Sequence, residues 1–220
     1  MINRIPLAIS SSEKPEYKLK QEAIRKTWLS KLDLEKFYPL FVINSETKTE
    51  GAPFKYIEED NTLYTKTPDE YRFISNKMKM YYRWALETFS SNNFWRVDDD
   101  CYVNCGKFNQ YDTQDYDYIG CILHQTPQDG PFAKIYTQFM SGSANCLSRK
   151  VAEMASDYLP HAGPDDWWIG SMVYSLMPNA KWKHEDSINP WSYCNNITNL
   201  MIGHYIKTEE MEIMHGYYCP

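Results

Sequence analysis

The sequence predicts an α/β fold: a single domain with a mostly parallel central sheet flanked by helices. Three observations carry this expectation. Ile5 to Ser10 (I-P-L-A-I-S) is a short apolar run opening into the polar cluster Ser10, Ser11, Ser12. Lys18 to Leu29 sets Leu19, Ala23, Ile24 and Trp28 at helical spacing, and Phe37 to Asn44 (F-Y-P-L-F-V-I-N) is a second apolar run. Strand, helix, strand is the unit of a parallel sheet. With 220 residues the chain can build one sizeable core or two small ones, and no linker, repeat or low-complexity stretch divides it.

Further along, Phe54 to Ile57 reads as a third strand, and Glu58 to Pro68 as a polar loop. Tyr71 to Phe89 is the most helix-like stretch, its apolar face marked by Ile74, Met78, Tyr81, Tyr82, Ala85 and Phe89. Phe94, Trp95 and Val97 suit a short strand into a core, Tyr102 and Val103 resume a strand pattern, and Tyr116 to Leu123 is another strand. Thr126 to Pro131 reads as a turn or loop. In Phe139 to Ser148 the small residues Ser141, Gly142, Ser143 and Ala144 suit a tight turn, or close approach of a ligand to the backbone. Arg149 to Tyr158 is a helix, and Pro164 precedes another that runs on to Leu176. From Pro178 the chain reads as irregular, with Trp182, Trp191 and Tyr193, until Ile202 to Ile206 gives a last short strand carrying His204.

The net charge of −6 argues against nucleic acid or an anionic membrane as partner. Aromatic residues make up 15%, enough to stack on sugar or base rings as well as to fill a core. Met1 to Ser12 lacks the features of a signal peptide, and no stretch has the roughly 20 apolar residues of a membrane span, so the expected location is cytoplasmic. Cys101, Cys105, Cys121, Cys146, Cys194 and Cys219 match no zinc spacing and read as reduced thiols; the sequon Asn196-Ile197-Thr198 reads as idle.

The chemistry concentrates in Phe94 to Asn104, F-W-R-V-D-D-D-C-Y-V-N. Three adjacent carboxylates at a strand end repel one another, and a hard divalent cation relieves that repulsion. Along an extended chain Asp98 and Asp100 point one way and Asp99 the other, which leaves a D-x-D pair open to a metal such as Mn²⁺ or Mg²⁺. Asp165 and Asp166 stand where a helix should begin, as capping residues or with Asp166 as a positioned base. His204, taken alone, is more often structural than ligating.

Several stretches, in order, resemble the β-1,3-glycosyltransferases of the galactosyltransferase/fringe group. Glu22 to Trp28 (E-A-I-R-K-T-W) is similar to their A-I-R-x-T-W; Tyr71 and Lys77 match a Tyr and Lys six residues apart; Trp95 to Asn104 matches W-x-x-x-D-D-D-x-Y-V-N. Tyr118-Ile119-Gly120, Ser141-Gly142-Ser143-Ala144 with Ser148-Arg149, Pro164-Asp165-Asp166 with Gly170, and His204-Tyr205-Ile206 with Met211 complete the set, from about Ser10 to Met211. Ser143 and Ala144 stand where the family has glycines.

The resemblance implies a GT-A fold, with a Rossmann-like nucleotide-binding half at about 1–104 and an acceptor half at about 105–220. It implies an inverting transfer from a nucleotide sugar, a UDP-sugar, to a glycan or glycoprotein acceptor. A monomer or weak homo-oligomer is expected; the family's anchor and stem are not in this sequence, which suggests a viral or bacterial type of enzyme or a domain cut from a longer chain. Asp100 and His204 would hold Mn²⁺ or Mg²⁺, with Asp98 as ligand or as partner of the donor's hydroxyls. Ser10, Ser11, Arg25, Lys77, Asp98, Asp99, Gly142 and Ser143 would contact the donor. Asp166 would be the general base, with Asp165 as the helix cap. Two rivals are a metal-dependent nucleotidyl or phosphoryl transferase, for which the P-loop type of phosphate cradle is missing, and a non-catalytic sugar- or nucleotide-binding module.

Overall fold

Period-2 burial on both faces of the first strands explains the architecture. In a computed structural model that describes residues 1–125, 137–189 and 197–219, β1 (Ile5–Ser11), β2 (Phe37–Asn44) and β5 (Asn93–Asp98) are buried almost throughout. Leu7, Ile9, Phe41, Trp95 and Val97 join one apolar cluster; Ala8, Leu40, Val42 and Phe94 join another. A strand apolar on both faces must lie between layers. The helices α1 (Pro15–Lys26) and α6 (Thr208–Tyr218) supply Ala23, Ile24 and Met211 to the first cluster. The helices α2 (Ile74–Thr88), α4 (Arg149–Tyr158) and α5 (Asp165–Leu176) supply Met78, Tyr81, Val151 and Ile169 to the second. The result is a sheet between two helical layers.

The sheet has eight strands. β3 (Phe54–Ile57) and β4 (Thr62–Thr65) lie at one side of β2; β8 (Thr137–Ser148), β7 (Tyr118–Gln125) and β9 (Trp182–His184) continue beyond β5. The pairings from β4 through β2 and β1 to β5 are parallel, whereas β5 to β8 and β8 to β7 are antiparallel, so the sheet is mixed. A small second sheet joins β10 (Ile188–Asn189), β11 (Ile202–Gly203) and β6 (Tyr102–Val103). A short helix α3 (Cys105–Phe108) follows β6.

The expected strands at Phe37–Asn44 and Phe54–Ile57 and the helix at Arg149–Tyr158 stand as read. Four expectations are corrected. Phe139 to Ser148 is not a turn: it lies within the long strand β8, where small residues let α5 pack closely. The loop after Glu58 contains β4, and the stretch after Pro178 contains β9 and β10. Helix α6 follows the last short strand, which ends at Gly203. Trp191, Tyr193, Cys194 and the loop Thr126 to Pro131 lie outside the described residues. The five described cysteines are free thiols. Among the described residues no helix is long and apolar enough to cross a membrane.

Candidate active site

Parallel strands bring their C-terminal ends to one edge, and in open α/β sheets ligands collect there. Here that edge holds a cavity of about 230 Å³. Its lining includes Ser10, Ser11, Lys77, Asp98, Asp99, Asp100 and His204 of the residues singled out in the sequence, and not Asp166. Strand β5 ends at Asp98, and the chain turns through Asp99 and Asp100 before β6. The turn splits the triplet. Asp98 and Asp100 face His204, with one ligand atom from each lying within 4.8 Å of the others. Asp99 faces the other way: Ser11 Oγ donates to its Oδ2 at 2.6 Å and Lys20 Nζ to its Oδ1 at 3.1 Å. Both Asp99 oxygens are therefore engaged by protein, and Asp99 ties the ends of β5, β1 and α1 together.

His204 reaches the aspartates through the small sheet. Strand β11 pairs antiparallel with β6, which directly follows the triplet. His204 N donates to Asn189 O and Ile206 N to Asp100 O. Between them Tyr205 adopts a left-handed φ of 58°, a conformation rare for a side chain this large, which turns the chain so that His204 faces the carboxylates. Its Nε2 lies 3.2 Å from Asp100 Oδ1 and 3.9 Å from Asp98 Oδ2. Asp100 Oδ1 is buried without a hydrogen bond of good geometry. Two carboxylates and an imidazole, with a buried oxygen unsatisfied, form a donor set suited to a divalent cation. Burial pushes Asp98 up to about 7 despite Arg96 and His204. Burial also raises Asp100, but the adjacent His204 more than reverses it and leaves Asp100 below its ordinary value. Lys77 donates to Ser11 O at 2.9 Å, and burial lowers its pKa.

A second group of carboxylates lies behind the first. The loop before α5 is pinned to the turn before α2 by Gly163 N to Arg72 O and to α2 itself by Ser75 N to Gly163 O. Pro164 occupies the cap position without a side-chain bond. The assignment of Asp165 as cap is thus corrected: it is the first helical residue, 2% exposed, with Oδ2 3.4 Å from Arg96 Nε. Asp166 accepts from Gly142 N at 2.8 Å and Trp167 N at 2.7 Å. Burial, with a smaller contribution from Asp165, raises it to about 6. A base needs a pKa near the working pH, and this position provides one.

Three expected donor contacts are placed elsewhere. Arg25 does not line the cavity: its guanidinium sits 4.5 Å over the Phe41 ring and donates to Asp60 O at 2.8 Å. The helix starts at the cavity, and ten residues at about 1.5 Å each carry Arg25 some 15 Å away. Gly142 and Ser143 are not in the lining either; Gly142 is fitted against Arg96 and Asp166, and Ser143 is buried against Ser141. Conversely, Arg96 and Lys20 were overlooked. The signal for Arg96 was a cation in the middle of the otherwise apolar run Phe94 to Val97.

Comparison with known proteins bears on this geometry. The family model Galactosyltransferase matches residues 20–177. A probable beta-1,3-galactosyltransferase 8 of Arabidopsis thaliana is 28% identical over 121 residues, covering 48% of this chain and 31% of the plant protein. The human UDP-GalNAc:beta-1,3-N-acetylgalactosaminyltransferase 2 is 38% identical over 45 residues, 20% of this chain and 9% of that protein. The matched part is thus about a third or less of these relatives' length. Among solved structures, a glycosyltransferase involved in glycosylation of the major capsid of PBCV-1 superposes with a TM-score of 0.52 at 14% identity, over 96% of this chain and 98% of that one. The apo form of GlyE from Streptococcus pneumoniae gives 0.50 at 11%, over 100% and 61%. These likenesses show a shared fold of GT-A type.

Proposed function

We propose that this chain, which belongs to the galactosyltransferase family, is an inverting glycosyltransferase that moves a sugar from a UDP-sugar to a hydroxyl of a glycan acceptor. The observation that carries the reading is the convergence of Asp98, Asp100 and His204 at a cavity on the C-terminal edge of the sheet, with Arg96 running from Asp98 to Asp165 and to the Gly142 that bonds Asp166. Asp98, Asp100 and His204 would hold Mn²⁺ or Mg²⁺, which when bound stabilises the charge of a diphosphate leaving group. Ser10, Ser11 and Lys77 line the cavity where the nucleotide would rest, in the half of the chain before Asn104. Asp166 accepts the proton of the acceptor hydroxyl as it attacks the anomeric carbon. One displacement and one base suffice, without a covalent intermediate.

The test is UDP release from UDP-hexoses with Mn²⁺, with and without chelator, alongside calorimetry of Mn²⁺ and UDP binding. Binding should need the cation and fall sharply in Asp100→Ala. Asp166→Asn should bind Mn²⁺ and UDP normally yet lose transfer by about 10²-fold, the scale of a lost general base. Full activity in Asp166→Asn overturns the base assignment; no cation-dependent nucleotide binding by the wild type overturns the reading as a whole. Release of pyrophosphate instead of UDP would favour a nucleotidyl transferase.

A further inference from the structure

Arg96 is 1% exposed in the interior of β5, on the face covered by α2 and α5. Its three nitrogens face different partners. Nη2 donates to Asp98 Oδ1 at 2.8 Å. Nε lies 3.4 Å from Asp165 Oδ2. Nη1 sits against Gly142, 2.9 Å from where a Cβ would be, and the Gly142 N–H is one of two that hold Asp166. Nε and Nη1 are buried without hydrogen bonds of good geometry, and so is Asp165 Oδ2. A merely structural buried arginine has its donors satisfied, because each one left open has lost its water without a bond in return.

We propose that Arg96 is a positioning residue: its guanidinium sets the spacing between the cation-side carboxylate Asp98 and the base-side pair Asp165 and Asp166. This rests on the glycosyltransferase reading. In that reaction the attacking hydroxyl, the anomeric carbon and the leaving diphosphate must lie in line. The groups for the donor side and the base side come from different elements, the end of β5 and the start of α5. Arg96 touches both elements, through Asp98 and Asp165. The planar fork of arginine reaches two partners at fixed spacing, and the single ammonium of lysine does not.

The variant Arg96→Lys keeps the charge and loses the fork. With UDP-sugar and Mn²⁺, two rates are measured: transfer to acceptor, and hydrolysis, in which water replaces the acceptor. Misalignment between base and donor should cut transfer relative to hydrolysis by about tenfold or more, while the donor KM stays within about twofold. Equal loss of both rates would reduce Arg96 to a structural role and overturn the proposal. An arm free of activity runs beside this: the melting temperatures of Asp98→Asn, Asp165→Asn and the double variant, each made in the native chain and again in the Arg96→Lys background. Non-additive shifts that become additive once the arginine is replaced support the link; additive shifts throughout overturn it. If Arg96→Lys does not fold, additivity with the native Arg96 still overturns it and non-additivity supports it. If the wild type releases no UDP, the glycosyltransferase reading fails, and the melting arm still decides whether Arg96 joins the two carboxylate groups.

Discussion

Gly142→Ala adds one methyl group to β8 and removes no side chain from the site. The added Cβ would lie 2.9 Å from Asp166 Oδ2, 2.9 Å from Arg96 Nη1 and 3.2 Å from Asp166 Cγ. Ordinary contact begins near 3.4 Å, so Asp166 must retreat by about half an ångström. Arg96 cannot take up the strain, being buried and held by Asp98. The retreat stretches the 2.8 Å bond from Gly142 N, one of the two that aim the carboxylate. Gly142 does not have a positive φ, so alanine fits the backbone, and in a strand it gains about 0.5–1 kcal/mol over glycine. That gain offsets part of the contact strain. A misplacement of 1 Å costs about 10²-fold in an oriented reaction, so half that distance predicts on the order of a tenfold fall in kcat. The assay is initial-rate transfer with UDP-sugar, Mn²⁺ and acceptor, beside a thermal melt and UDP calorimetry. Wild-type kcat in Gly142→Ala would refute the reasoning. A loss of UDP affinity with kcat unchanged would refute it too, by moving Gly142 to the donor.

Four further outcomes follow. Asp166, raised to about 6, is ionised above that pH, so kcat/KM should fall about tenfold per pH unit below 6 and level off above it, and this limb should vanish from the residual rate of Asp166→Asn. The same raised value means Asp166 favours the folded state most below its ordinary value of 3.8 and loses that contribution as the pH rises through about 6; the melting temperature of Asp166→Asn minus that of wild type should therefore grow across this window. Asp165→Ala should cost about 3–5 kcal/mol in denaturant unfolding, the scale for breaking a buried pair, and a loss near 1 kcal/mol would restore the cap assignment. Gly170→Ala would set a Cβ hard against Phe139 Cβ and 2.7 Å from Gln138 O, driving α5 off β8; about 3 kcal/mol of lost stability is expected, and an unchanged melt would contradict the packing.

The acidic triplet was legible because three like charges at the end of an apolar strand have few explanations; Asp98 and Asp100 do share a side, but a turn through Asp99 and Asp100 puts them there, not the alternation of an extended strand. The long apolar runs gave β1, β2 and β5 for the same reason: both faces are covered. What escaped was set by tertiary contact. Strands of two residues, such as β10 and β11, are too short to show a period. In β8 the small residues looked like a turn, yet they are small because α5, Arg96 and Asp166 press against them. Whether Asp165 caps its helix depends on the dihedrals of Pro164, which the letters P-D-D do not settle. Arg25 belonged to a matched motif, and only the length of α1 shows that it points to the wrong end of the sheet.

His204 stands about a hundred residues after Asp100, and the two meet only when β11 pairs with β6. Closing so long a loop is a late event, since its entropy must be met before the contact returns anything. During synthesis from the N-terminus the carboxylates of β5 emerge early and wait, mutually repelling, for their imidazole. A chain stopped between Asp100 and Gly203 would carry both carboxylates and still lack His204, so a cation site built from these three groups would report that the C-terminal segment has been made and docked.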